Sequence, residues 1–325
     1  MKPTPSAVHV NRPLTNISIA CIQEARNFIA AEAFPVVPVQ NQSDRYFIYS
    51  AADFHRDEMQ LRAPGTESAG SGYSIDNTPN YFANVYAYHK DIDDQARGNS
   101  DSPLDPDRDA TEFVTQKALI RREKLFATNF MSTGVWTTDI TGVAAGPSTN
   151  QVLQWNDAAS DPVANINGGK SAILKTTGFE PNRLILGYEV WLTLQNHPDI
   201  IDRVKYTQQL GANETVRVTE QALAYLFGVD RVLVMRSVEN TAKEGAAASN
   251  AFIGGKKALL CYAAPRPALM QPTAGYIFSW TGYTGAGPDG NRVSRFRMDQ
   301  LRADRVEIEI DRKSTRLNSS HVSES

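Results

Sequence analysis

Cysteine is nearly absent from this chain. Cys21 and Cys261 lie far apart and in no metal or redox spacing. A disulfide framework is therefore excluded, and a reducing compartment is the simpler setting. Long apolar runs are missing too. No stretch approaches the ~18 apolar residues of a membrane span, and Met1-Lys2-Pro3-Thr4-Pro5 lacks the apolar run of a signal peptide. The expectation is a soluble chain made in the cytosol, with no membrane partner. An excess of one charge is also lacking. A formal net charge of -3 gives no global nucleic-acid signature, so any polyanion contact has to be local.

The usual signatures of catalysis are equally thin. Of the histidines before Lys313, namely His9, His55, His89 and His197, none has the i, i+4 spacing of a helical metal pair and none is near a cysteine. There is no G-x-S-x-G nucleophile elbow. Asp91-Ile92-Asp93-Asp94 and Asp105-Pro106-Asp107-Arg108-Asp109 match no calcium-loop spacing. They read as a solvated loop and a helix start. The sharpest enzymatic hint is Ala164-Asn165-Ile166-Asn167-Gly168-Gly169-Lys170-Ser171, a phosphate-loop match once its first glycine is relaxed to alanine. Such a loop must follow a buried strand, and Asp157 to Val163 is a polar turn containing Asp161-Pro162. A helix interrupted by glycines is the expected structure. No catalytic, cofactor-binding or metal residues are therefore assigned, and no cofactor.

What is present suits a globular protein. The 325 residues are 41% hydrophobic and 21% charged, enough for one large or two modest domains with their own cores. The stretch to about Gln40 is polar and proline-punctuated around one helical-looking piece, Ile17 to Ala33, and reads as an arm. Two aromatic strand-like runs follow, Tyr46-Phe47-Ile48-Tyr49 and Tyr81 to Tyr88. Between them Arg62-Ala63-Pro64-Gly65-Thr66-Glu67-Ser68-Ala69-Gly70-Ser71-Gly72 has nothing to build a core. This predicts a projecting hairpin, marginal alone in water and so resting on a neighbour. Asp105-Pro106 offers a cap and a first-turn proline, and Ala110 to Met131 carries no Gly or Pro and reads as one long helix. On it Lys117, Arg121 and Lys124 share a stripe that can meet phosphates without reading sequence, or simply be solvated. Beyond lie strand Arg183–Gly187, helices from Tyr188 and Ile200, helix Thr219 to Phe227, strand Arg231–Met235, and mostly β-like chain from Ala258 to Ile310. The coarse class is α+β in two subdomains. After Arg312 the pattern breaks: residues 313–325 have no periodicity and resemble adaptor read-through. They are set aside as non-native, with a natural disordered tail as the alternative; on the first reading the true C-terminus is expected to be missing.

The order of parts carries a resemblance. Trp155-Asn156-Asp157 with Ser160-Asp161-Pro162, then Thr177-Gly178-Phe179-Glu180-Pro181-Asn182-Arg183-Leu184-Ile185-Leu186-Gly187, then Val190-Trp191 and His197-Pro198, resemble the central segment of tailed-bacteriophage major capsid proteins of the Hong Kong 97 type. Leu226-Phe227-Gly228-Val229-Asp230 and the closing Arg302-Ala303-Asp304-Arg305-Val306-Glu307-Ile308 are similar to later pieces of the same family. The resemblance implies an α+β capsid fold: N-terminal arm 1–44, extended loop 45–92, peripheral domain 93–161 with its spine helix, axial domain 162–290, returning strands 291–311, and tail 312–325 outside it. It implies hexamers and pentamers forming an icosahedral head around double-stranded DNA, assembled in the host bacterial cytoplasm and carried in the virion. Such spine helices face the packaged genome, which favours a phosphate-facing role for Lys117, Arg121 and Lys124. Expected partners are a separate scaffolding protein, since the arm is short, a portal and a decoration protein. An encapsulin-like compartment of the same fold is the alternative. One departure is chemical. Some relatives crosslink a loop lysine to an asparagine of another subunit, and here no lysine occurs between Lys2 and Lys90.

Overall fold

The computed structural model describes residues 22–100, 104–207, 217–268, 270–284, 291–316 and 322–324. In chain order the strands are β1 Val36–Val39, β2 Ser43–Arg45, β3 Ile48–Tyr49, β4 Ile75–Asp76, β5 Asn80–Phe82, β6 Asn84–Asp93, β7 Asp139–Val143 and β8 Gln151–Leu153. They continue with β9 Arg183–Gly187, β10 Arg231–Met235, β11 Val238–Asn240, β12 Asn250–Phe252, β13 Lys257–Cys261, β14 Gly275–Trp280, β15 Asn291–Met298, β16 Ala303–Arg316 and β17 Val322–Glu324. The helices are α1 Ala51–Phe54, α2 Asp94–Gly98, α3 Pro106–Phe130, α4 Pro162–Thr177, α5 Tyr188–Gln195, α6 Pro198–Thr207, α7 Glu220–Phe227 and α8 Thr281–Thr284.

The long helix α3 starts where its chemistry dictates. The Asp105 carboxylate accepts from the Asp107 and Arg108 N–H groups at 3.1 and 3.3 Å, and Pro106 takes the first turn, where no N–H is needed. One face of α3 buries Ala110, Val114 and Ala118 against Val306, Ile308 and Ile310 of β16 and Ile92 of β6. Strand β16 is antiparallel to β6 on one side and β15 on the other, with Ile308 opposite both Tyr88 and Val293. Its later residues pair with β14, which in turn pairs with β1 in parallel.

A second sheet runs β10-β9-β13-β17-β7-β8. Its central strands bury both faces, so after a basic first residue they are apolar, and successive residues serve different cores. Leu184 and Leu186 of β9, Val232 and Val234 of β10, and Ala258 and Leu260 of β13 pack under α4 to α7 with Ile166, Trp191, Leu223 and Phe227. Ile185, Met235, Leu259 and Cys261 face the other way, onto Phe126, Phe130, Trp136 and Phe34. The C-terminal half of α3 therefore joins the two sheets.

The expected helix Ile17 to Ala33 does not form among the described residues. Only a three-residue 3-10 turn, Ala25–Asn27, is helical, and residues before 22 lie outside the described set. The reason is a competing acceptor. The Ile29 and Ala30 N–H groups, which a helix would spend on carbonyls four residues back, donate to the buried Glu123 carboxylate at 3.0 and 2.9 Å. Apolar side chains that fit a helical period are instead laid along α3. Phe34 stacks 4.7 Å from Phe130, centroid to centroid.

The backbone of residues 313–316 continues β16 along β14, and residues 322–324 lie between β13 and β7. The rest of the segment set aside from the sequence lies outside the described residues.

Candidate functional site

Two surfaces stand out, a projecting ribbon and a basic flank of α3. The ribbon is built from two short antiparallel ladders, β2 with β5 and β3 with β4. At its base Tyr81 stacks on Phe278 of β14 at 4.5 Å with nearly parallel rings, fixing the root to the sheet. Near its tip Tyr49, Phe54 and Tyr73 form a small aromatic cluster with centroids 5.6 to 6.2 Å apart. The Asp53 carboxylate accepts from the Ser74 N–H and hydroxyl at 2.9 and 2.7 Å, and these bonds hold it below the usual carboxylate range. Beyond that cluster the chain buries nothing: Met59 and Leu61 are 94% and 103% exposed, and on its root side Phe47 is 64% exposed. Several large apolar side chains gathered on a marginal ribbon mark a contact surface.

On α3, Lys117, Arg121 and Lys124 are all exposed but do not behave alike. Lys124 donates to Glu239 at 2.6 Å, which offsets its charge. Lys117 lies over the Phe113 ring at 5.3 Å and Arg121 over the Tyr86 ring at 4.6 Å. Lys90 of β6 reaches the same Phe113 ring at 5.4 Å, and Tyr88 packs beside it at 6.0 Å. The arrangement is therefore three cations, Lys90, Lys117 and Arg121, held over aromatic faces. A ring holds a cation in place without cancelling its charge, as a carboxylate would. Sequence reading missed Lys90 because its place beside Lys117 comes from the packing of β6 on α3.

The other chemical candidates resolve into packing. Gly168-Gly169-Lys170-Ser171 lies inside α4, not in a loop after a strand. A Cβ at Gly169 would meet Leu260 Cδ2 at 3.2 Å, so that glycine lets α4 lie close on β13. The Lys170 ammonium donates to the Phe227 and Gly228 carbonyls, both at 3.0 Å, and pairs with Glu180 at 2.8 Å. It caps the negative end of α7. His197 is buried, its Nε2 lying 3.1 Å from the Ser160 hydroxyl, which itself donates to the Asp157 carbonyl at 2.8 Å. This pair is sealed from solvent.

The acidic runs are consumed structurally. Asp91 takes a two-point bond from Arg305 at 2.7 and 3.0 Å, Asp93 caps α2, and Asp94 pairs with Arg297 at 2.6 Å. Asp304 gathers Arg97 and Arg295 at 2.7 Å and Arg297 at 3.4 Å. Hydrogen bonds from Arg295 and Arg97 hold its carboxyl well below the usual range. Among the described residues no cluster of His, Cys, Asp and Glu could hold a metal ion, and no helix is long and apolar enough to cross a membrane.

No family profile matches the chain. It is 27% identical over 238 residues to the major capsid protein of Burkholderia phage BcepMu, covering 70% of this chain and 69% of that one. Among solved structures, a phage-related protein of Bordetella bronchiseptica superposes with a TM-score of 0.66 at 19% identity, covering 93% of both chains. The mature capsid subunit of bacteriophage PhiM1 gives 0.57 at 11% identity, over 98% of this chain and 92% of that one. An encapsulin complex from Synechococcus elongatus gives 0.52 at 12% identity, over 96% and 93%. The chain has the α+β fold of the Hong Kong 97-type capsid subunit, and its sequence is related to that of a phage major capsid protein.

Proposed function

We propose that this chain is the major capsid protein of a tailed bacteriophage, a structural subunit that assembles with copies of itself into the shell of the virion. The sequence relationship over 238 residues to a phage major capsid protein carries this reading. The ribbon supports it, since its apolar tip has no cover among the described residues. In this assignment residues 45–92 are the extended loop, 93–161 with 291–311 the peripheral domain and 162–290 the axial domain, while 312–325 stand outside it. Hexamers and pentamers form in the host cytoplasm, with a separate scaffolding protein, a portal and a decoration protein as partners. Negative-stain microscopy of the expressed protein tests the reading: closed shells or capsomer rings are expected, and a stable monomer under all conditions would overturn it.

The aromatic-backed cations Lys90, Lys117 and Arg121 are assigned to phosphates of packaged double-stranded DNA, contacted without sequence readout. Reversing two charges, in Lys117→Glu with Arg121→Glu, should lower the salt slope of DNA binding by about two units while capsomers still form. An unchanged slope, measured by titrating capsomers with duplex at several salt concentrations, would remove the assignment. The encapsulin-like reading shares the fold, and the phage relationship in sequence favours the capsid. Nucleic acid inside purified particles supports the capsid, and loaded protein cargo supports the compartment.

No lysine occurs between Lys2 and Lys90, so the ribbon of β2 to β5 has no amine for a covalent bond to a neighbouring asparagine. Mature particles should run as single subunits on denaturing electrophoresis, and a ladder of covalent oligomers would refute this.

A further inference from the structure

Glu123 is the one wholly buried carboxylate on α3, at 0% exposure. Its Oε1 accepts the Ile29 N–H at 3.0 Å and its Oε2 the Ala30 N–H at 2.9 Å. These bonds fasten the segment that leads into β1 and the ribbon.

The other anchors of that segment do not titrate near neutral pH. The Gln23 amide donates to the Val238 carbonyl at 2.7 Å and accepts its N–H at 2.9 Å. The Arg183 guanidinium, which stays protonated, donates to the Ala33 carbonyl at 2.7 Å. Phe34 rests on Phe126 and Phe130.

Burial pushes Glu123 up to about 7, because removal from water penalises the charged form. The two backbone bonds and the neighbouring Arg122 pull it down, and burial outweighs them. The remaining charges around it are engaged elsewhere. Lys124 of the same helix is turned to Glu239, Arg236 after β10 to Glu220, and Arg26 of the docked segment to Glu24, while Glu32 points to solvent.

We propose that Glu123 is a proton-operated latch: docking of residues 28–34 onto α3 takes up a proton and weakens as the pH rises. The sign follows from linkage. A carboxylate that is acidic when exposed and less acidic when covered makes the covered state bind the proton more tightly. The docked state is therefore favoured fully below the ordinary glutamate range, and that advantage is lost as the pH rises through neutrality. One such group makes docking roughly 25-fold more favourable at about pH 5.5 than at about pH 8. Because β1 and the ribbon root follow directly, the latch tunes how firmly the ribbon's base is held.

The test is hydrogen exchange of peptides spanning residues 28–34 in the full chain, corrected for intrinsic rates, between pH 5.5 and 8. Protection should fall by one to one and a half orders of magnitude across that window. Glu123→Gln, which keeps an acceptor but cannot titrate, should flatten the dependence while lowering protection throughout. Gln23→Ala removes an anchor that does not titrate and should lower protection by the same factor at both ends of the window, keeping the slope, which keeps the test alive if Glu123→Gln fails to fold. Equal protection at both pH values in the unaltered protein, a retained slope in Glu123→Gln, or a slope lost in Gln23→Ala would each overturn the proposal.

Discussion

Replacing residues 55–74 of the ribbon by a short turn should abolish closed shells while leaving the subunit folded. The segment adds little to either core. Between the Tyr49, Phe54 and Tyr73 cluster and its own end, it places Met59 and Leu61 almost wholly in water. Exposed apolar area of this kind is stabilised only when another molecule covers it, at about 25 cal/mol per Å². Its removal is thus nearly neutral for the monomer and severe for assembly. Microscopy should show at least a tenfold loss of particles, while circular dichroism and the urea midpoint of the disassembled subunit stay within error. Particles of normal yield would mean that the ribbon is not the element that joins subunits.

The parts legible in the sequence are those whose local chemistry and long-range packing agree. Asp105-Pro106 fixes the start of α3 by capping, and nothing distant contradicts it. Leu184-Ile185-Leu186 reads as a doubly buried strand and is one, because each residue finds an apolar core on its own side. Lys170 shows the converse. Its glycine-rich surroundings suggest a phosphate, and only the arrival of α7 shows that the ammonium meets the carbonyls at that helix's end.

Two features of the candidate surfaces were hidden for one reason: their partners are distant in sequence. Glu123 stands in Arg121-Arg122-Glu123-Lys124, a run that looks like a solvated face, and is buried because residues 28–34 fold over it. The same contact overrides the helical period of that segment. Lys124 is exposed as the stripe expects, yet its ion pair to Glu239 depends on the distant two-stranded ladder of β11 and β12. Periodicity finds which face of a helix is polar. It does not find which polar groups are already answered.

Substituting two glycines for alanine should move stability in opposite directions, and the larger effect belongs to Gly187. This residue ends β9 and caps α5 with ordinary negative φ, so conformational freedom is not what requires it. Space is. A Cβ there would run into the Gly255 carbonyl oxygen, with the Gly255 carbonyl carbon at 3.0 Å and the Gly254 oxygen at 3.1 Å. All are backbone atoms that no rotamer change can clear. The facing Gly254 is pinned in turn, since a Cβ on it would meet Met235 Sδ at 2.9 Å. Gly187→Ala must therefore part β9 from the turn that leads into β13, at a cost of about 3 kcal/mol. Gly168, inside α4, faces nothing within 4 Å. There alanine only removes backbone freedom from the unfolded chain and should add about 1 kcal/mol. Urea denaturation of the disassembled subunit measures both. If Gly187→Ala proved neutral, the two chain segments could not approach as closely as this fold requires. The second core, built where the sheet meets α3, would then be packed differently.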